Sequence, residues 1–193
     1  MHNHNDVGAF QIVVNDKGVI VDPGPGKYTL QYFEDPKVRY SEEVFAAGSM
    51  GHSVPIVDGK YQNEGRDAKG IVLEQTEKNF KFDFASAYGN LESLIVNYVM
   101  QDNGVSVSYN CKGIDKSIRF RFLSFNEPKV NADGSVDVGV KVSSVSGIKP
   151  EIKKINYGGH VNIVGAQDCE TIYAIDYTVS GKKEVEETFE FKV

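Results

Sequence analysis

The sequence predicts an all-β protein, two antiparallel sheets packed face to face as a sandwich, with little helix. Three observations carry this. Apolar and polar residues alternate in short runs: Phe80, Phe82, Phe84; Ile118, Phe120, Phe122; and Phe189, Phe191, Val193. A period of two sends alternate side chains to opposite faces of a strand. Turn pairs punctuate these runs (Asn103-Gly104, Lys112-Gly113, Asp133-Gly134, Ser146-Gly147, Ser180-Gly181) at spacings near those of sandwiches. Ten Tyr and eleven Phe beside 19 Gly, with no Trp, suit strands and tight turns better than helices.

With 193 residues and 40% apolar content, one domain with a sizeable core is the economical reading, and no internal repeat or linker divides it. The net charge is −6 and no basic run interrupts it, which argues against a nucleic-acid partner or an anionic membrane surface. No stretch reaches the roughly 20 apolar residues that span a bilayer. Cys111 and Cys169 are too few for a disulfide framework; the plain reading is two unpaired, half-buried thiols, and their pairing stays open.

Taken in order, Phe10, Ile12 and Val14 alternate with Gln11 and Asn15, a half-buried strand. Asn15 to Gly18 is a turn, and Val19-Ile20-Val21 is the second arm of a hairpin. The run Asp22-Pro23-Gly24-Pro25-Gly26 is a rigid corner, so Asp22 stands at a strand end where a side chain can face a site. Glu34 to Ser49 is the least strand-like part; Val38 to Tyr40 and Glu42 to Ala47 suggest a short helix closed near Gly48. Gly51 to Val57 reads as a strand that Pro55 places at an edge or a bulge, followed by an Asp58-Gly59 turn. From Ile71 onward nearly everything is β, and Leu91 to Met100 is assigned to a strand by its neighbours.

Chemistry concentrates at His2-Asn3-His4-Asn5-Asp6-Val7-Gly8, which holds two of the four histidines. In an extended segment, residues two apart share a face, so His2 and His4 would point together. Imidazoles suit zinc and other late first-row metals, and Asp6, Asp22 and His52 are available to complete such a set. His160, after Tyr157-Gly158-Gly159, reads as an ordinary turn histidine. A simple hairpin works against a shared site. Asp22 would lie opposite Gln11, and at about 3.3 Å per extended residue His4 would be out of reach. Residues 4 to 8 must therefore double back over the strand end, and Gly8 is the residue that permits it. A site with no scaffold ahead of it also suggests that the chain is a piece of something larger.

His2 through Phe10, then Val21-Asp22-Pro23-Gly24 with Tyr28-Thr29, resembles the start of the C-terminal β-domain of heparinase II/III-type polysaccharide lyases. Arg39-Tyr40, His52-Ser53-Val54-Pro55-Ile56 with Gly59 and Gln62, and Ala87-Tyr88 resemble later blocks of the same domain, so the motifs cover about residues 2 to 88. The resemblance implies a β-sandwich of the supersandwich kind and a parent enzyme that cleaves uronic-acid polymers, glycosaminoglycan or alginate-like, by β-elimination. A base takes the C5 proton, the 4-linked oxygen leaves, and a neutralising group offsets charge on the carboxylate.

In that family the cleft lies between an N-terminal helical toroid and this domain, and the toroid supplies the tyrosine and the neutraliser. Within this chain the resemblance assigns the catalytic role to His2. It assigns a structural metal, zinc or another divalent cation, to His4, Asp22 and His52; the fourth position, open to water or a side chain such as Asp6, stays unassigned. It further implies an acidic polysaccharide substrate, a periplasmic or secreted parent, and an inactive isolated domain; a homodimer stays open. Ser53 departs from the Asn usual after the third ligand.

Two other readings compete. One is a carbohydrate-binding sandwich that stacks sugars on Tyr28, Tyr32, Tyr40 and Tyr61. The other is a cupin-type jelly roll whose catalytic metal takes both His2 and His4.

Overall fold

The computed structural model describes residues 4–24, 30–34, 45–157 and 170–193. A two-stranded hairpin opens it: β1 (Ile12–Val14) and β2 (Lys17–Ile20), closed by Asn15 and Asp16 at φ 49° and 61°. The turn is two residues tighter than the sequence suggested, because Asn and Asp both tolerate the left-handed region that the hairpin twist requires. One short helix, α1 (Leu30–Glu34), follows.

The first strand of the small sheet is β3 (Ile56–Val57). Then come β4 (Ile71–Gln75), β5 (Asn79–Asp83), β6 (Ser93–Gln101), β7 (Gly104–Lys112) and β8 (Ser117–Ser124). The rest are β9 (Lys129–Val130), β10 (Val136–Asp137), β11 (Lys141–Ser144), β12 (Glu151–Asn156), β13 (Thr171–Ser180) and β14 (Glu184–Lys192). An eight-stranded sheet in the order β4-β5-β6-β7-β14-β11-β10-β9 packs on a four-stranded sheet in the order β12-β13-β8-β3. Every recorded pairing of named strands is antiparallel. The expected sandwich is what the chain forms.

Its core is aromatic. Phe122 of β8 meets Phe189 at 4.9 Å and Phe191 at 5.1 Å between centroids, both edge-on. Such pairs add about 0.5–1.5 kcal/mol each beyond the area they bury. Phe10, just ahead of the hairpin, inserts among them, 5.9 Å from Phe122 and 5.6 Å from Phe191. The N-terminal segment is thus rooted between the sheets rather than trailing from them.

Four strands cannot cover eight. Ile71, Val72 and Leu73 of β4 are more than half exposed, and Met100 is 55% exposed. The β4–β5 ladder slips register between Val72 and Glu74, a bulge at Leu73.

Several expectations change. Strand structure begins only at Ile56, not at Gly51. Ser49–Gly51 is a 3-10 turn, and the Val54 amide turns back to the His52 carbonyl at 2.9 Å, so those backbone groups are used locally. Pro55 does place β3 at the sheet edge. Of the expected helix, residues 45–47 form a turn and residues 38–44 lie outside the described residues. Cys111 is buried and free, and desolvation, with the nearby charges of Asp58 and Asp83, pushes its thiol up to about 12. Cys169 and His160 lie outside the described residues.

The outer face of the small sheet is not bare. A second apolar cluster covers it, built from Val21, Phe45, Met50, Leu123, Ile172 and Ala174. Arg121, which alternation alone would put in water, is therefore only 5% exposed and forks onto Asp176 at 2.8 and 2.7 Å. Its Nη1 also donates to the Met50 carbonyl at 3.1 Å, tying the turn before His52 to the sheet. Arg121→Met leaves Asp176 a buried carboxylate with, among the described residues, Arg119 and Lys153 as its nearby cations, each 3.7 Å away. A loss of about 3 kcal/mol in denaturant unfolding is expected, with the double variant Arg121→Met/Asp176→Leu losing less.

Candidate metal centre

Three separate segments bring the site together. Val21 donates its N–H to the Leu123 carbonyl at 2.9 Å, and the Leu123 N–H donates to Ser53 Oγ at 3.1 Å. One residue of β8 thereby anchors the chain next to Asp22 and the chain next to His52. Ser53 spends its hydroxyl on the scaffold. Gly51 is needed for close approach: a Cβ there would stand 2.1 Å from the Phe45 carbonyl oxygen.

The N-terminal segment makes the reversal that the hairpin geometry demanded. Gly8 sits at φ +87°, and the Ala9 N–H closes a turn onto the Asp6 carbonyl at 2.8 Å. A side chain at Gly8 would be strained by that φ, and its Cβ would meet the Phe84 ring at 2.9 Å. Tyr98 Oη donates to the Gly8 carbonyl at 2.7 Å, and the Asn5 N–H donates to Ala47 at 3.0 Å.

This fold-back sets the His4 ring 5.2 Å from the His52 ring, centroid to centroid. Donor atoms of His4, Asp6 and His52 all lie within 4.8 Å of one another. Asp22 Oδ2 stands 2.7 Å from His52 Nδ1, and its Oδ1 accepts the Gly24 N–H at 2.8 Å. Of the expected trio, His4 and His52 face each other, but the carboxylate that completes the close donor set is Asp6, while Asp22 stands behind His52 on its Nδ1. His2 lies outside the described residues.

The electrostatics suit a cation. Burial, then the charge of His52, lowers His4 from its ordinary value against the pull of Asp22 and Asp6, which favours the neutral imidazole a metal requires. Burial opposes ionisation of Asp22, but the His52 hydrogen bond and charge and the Gly24 amide together hold it below the usual carboxylate range. His52 is fully buried, and its Nε2 has no partner among the described residues. A shut-in ring nitrogen without a partner is costly unless something binds it. The residues present therefore fit a divalent metal of the zinc type: two imidazoles and two carboxylates, one of which, Asp22, is already on a histidine.

All four groups sit on connecting segments rather than on strands, and the sandwich is open at the described edges β4, β9, β12 and β3. Neither feature suits the jelly roll with a metal inside its barrel. Of the tyrosines considered for sugar stacking, Tyr28 and Tyr40 lie outside the described residues, and Tyr61 is half-buried beside the second apolar cluster. Sequence reasoning gave no role to Arg121 and Asp176, whose separation of 55 residues leaves no local signal.

The fold is one that solved lyases carry. The chain superposes on heparinase III with a TM-score of 0.66 at 16% identity, over 98% of this chain and 30% of that one. It superposes on the heparan sulfate lyase HepC from Pedobacter heparinus with a TM-score of 0.68 at 12% identity, with the same coverage. The likeness is one of fold, and the chain spans about 30% of the length of either enzyme. No family model and no curated protein matches the sequence.

Proposed function

We propose that this chain is the metal-bearing β-domain of a polysaccharide lyase. It acts on uronic-acid polymers of the glycosaminoglycan or alginate kind, in a parent that also carries a helical toroid. The observation that carries the reading is the convergence of His4, Asp6 and His52, with Asp22 bonded to His52, from three segments, on a fold shared with heparinase III.

In this reading the four groups serve structure. When bound, a divalent cation would supply concentrated positive charge and fixed ligand directions, pinning the N-terminal segment. His4 and His52 offer imidazole nitrogens. Asp22 acts with His52 through their existing contact, and Asp6 is the further carboxylate at hand. A pinned His4 would also restrain the chain two places before it, at His2, the residue proposed to face the substrate.

There the C5 proton goes to a base and the C4–O4 electron pair leaves with the oxygen. The C5–H electrons become the C4–C5 double bond. His2 is this domain's catalytic contribution; the tyrosine and the carboxylate neutraliser belong to the toroid. The parent works in a periplasm or outside the cell, where such polymers are met, and the substrate itself is the acidic polysaccharide partner.

The test compares the chain alone with the chain joined to its toroid, on heparan sulfate and on alginate, by ultraviolet absorbance of the new double bond. Absorbance should rise only for the joined protein. Turnover by the isolated chain, or none by the joined protein on any uronate polymer, overturns the reading.

A further inference from the structure

Gln62 is 4% exposed and uses every hydrogen-bonding group it has. Its side-chain Oε1 accepts the Val7 N–H at 2.9 Å, and Nε2 donates to the Val7 carbonyl at 2.7 Å. The amide thus pairs with Val7 as a neighbouring strand would. The second Nε2 hydrogen goes to Tyr88 Oη at 3.2 Å. The Gln62 carbonyl accepts Asn5 Nδ2 at 3.1 Å, and its N–H donates to Ser49 Oγ at 3.0 Å. Tyr88 Oη in turn donates to the Pro55 carbonyl at 2.5 Å.

The places these bonds reach are what matters. Asn5 and Val7 lie one and three residues after His4. Ser49 and Pro55 lie three residues before and three after His52. One side chain and one phenol therefore grip both histidine segments. The polarity of the chain is fixed as well. Tyr88 must donate to Pro55, so it accepts from Gln62; Nε2 then faces Tyr88 and the Val7 carbonyl, and only Oε1 is left for the Val7 N–H. A flipped amide would set oxygen against oxygen at Val7.

We propose that Gln62, held in orientation by Tyr88, is the positioning residue that sets the spacing of His4 from His52. The consequence for metal binding rests on the centre proposed above; the spacing itself does not. Gln62→Leu keeps the volume and removes the amide. Tyr88→Phe keeps the ring against Phe84, whose centroid is 6.1 Å away, and removes the hydroxyl.

The probes are Co2+ alone, read by its visible spectrum and by titration, and, on the metal-free protein, the exchange rate of the Val7 amide and the ring-to-ring nuclear Overhauser contact of His4 with His52. In both variants the contact should weaken and Val7 exchange should quicken. Co2+ affinity should fall about 10–100-fold, the range for residues that orient ligands, with far-ultraviolet circular dichroism unchanged. A lower melting temperature with the ring contact, the Val7 exchange and the Co2+ spectrum all intact would make Gln62 merely structural and overturn the proposal. If the unmodified chain takes up no Co2+, the metal reading falls, while exchange and ring contact still decide Gln62. If Gln62→Leu fails to fold, Tyr88→Phe carries the same readouts.

Discussion

His52→Ala should abolish zinc uptake by the proposed centre. The ring is fully buried, one nitrogen is bonded to Asp22 and the other has no partner among the described residues, so no neighbour replaces it. Loss of a direct ligand should exceed the 10–100-fold typical of residues behind a ligand, leaving metal content after dialysis near background. The fold should survive. His52 stands on a connecting segment, and Asp22, freed of its partner, is 21% exposed and can hydrate. Asp22→Asn gives the useful comparison: a 10–100-fold loss marks a carboxylate acting through His52, a larger loss one that binds directly. Retention of full zinc content by His52→Ala would remove the centre from the account.

The second large effect separates the two N-terminal histidines. In the proposed toroid-bearing parent, His2→Ala should lower kcat by about 10²–10⁴, the range for a group handling protons, with zinc content unchanged. His4→Ala should lose zinc and activity together. Lyase assays paired with metal analysis of each purified variant read both. If His2→Ala loses metal as readily as His4→Ala, the division of roles is wrong and the pair acts as one ligand set.

The fold was legible because its signals are local. Alternation in β5, β8 and β14, the hairpin at Asn15-Asp16 and the edge position announced by Pro55 all lie within a few residues of chain. The site was legible only as a motif. Spacing alone put His4 beyond reach of Asp22; the turn at Gly8 and anchors distant in sequence bring it back, among them Tyr98 on Gly8 and Gln62 on Val7, 90 and 55 residues apart. Buried charges leave no local signal for the same reason. Arg121 follows the outward phase of its strand, yet a second apolar layer covers it. Glu187 follows the inward phase of β14, between Val185 and Phe189, and is only 5% exposed. It is tolerable there because the Ser144 and Ser146 hydroxyls, more than 40 residues away in sequence, donate to it.

The mismatch of eight strands with four has a practical consequence for handling the protein. Ile71 to Leu73 offer a sticky, solvent-facing ribbon on the outermost described strand, the sort of template on which like chains stack into insoluble deposits. The kink at Leu73 spoils that template by breaking the regular comb of amides. Ironing it out, by deleting Leu73, should turn a storable preparation into one that clouds on standing.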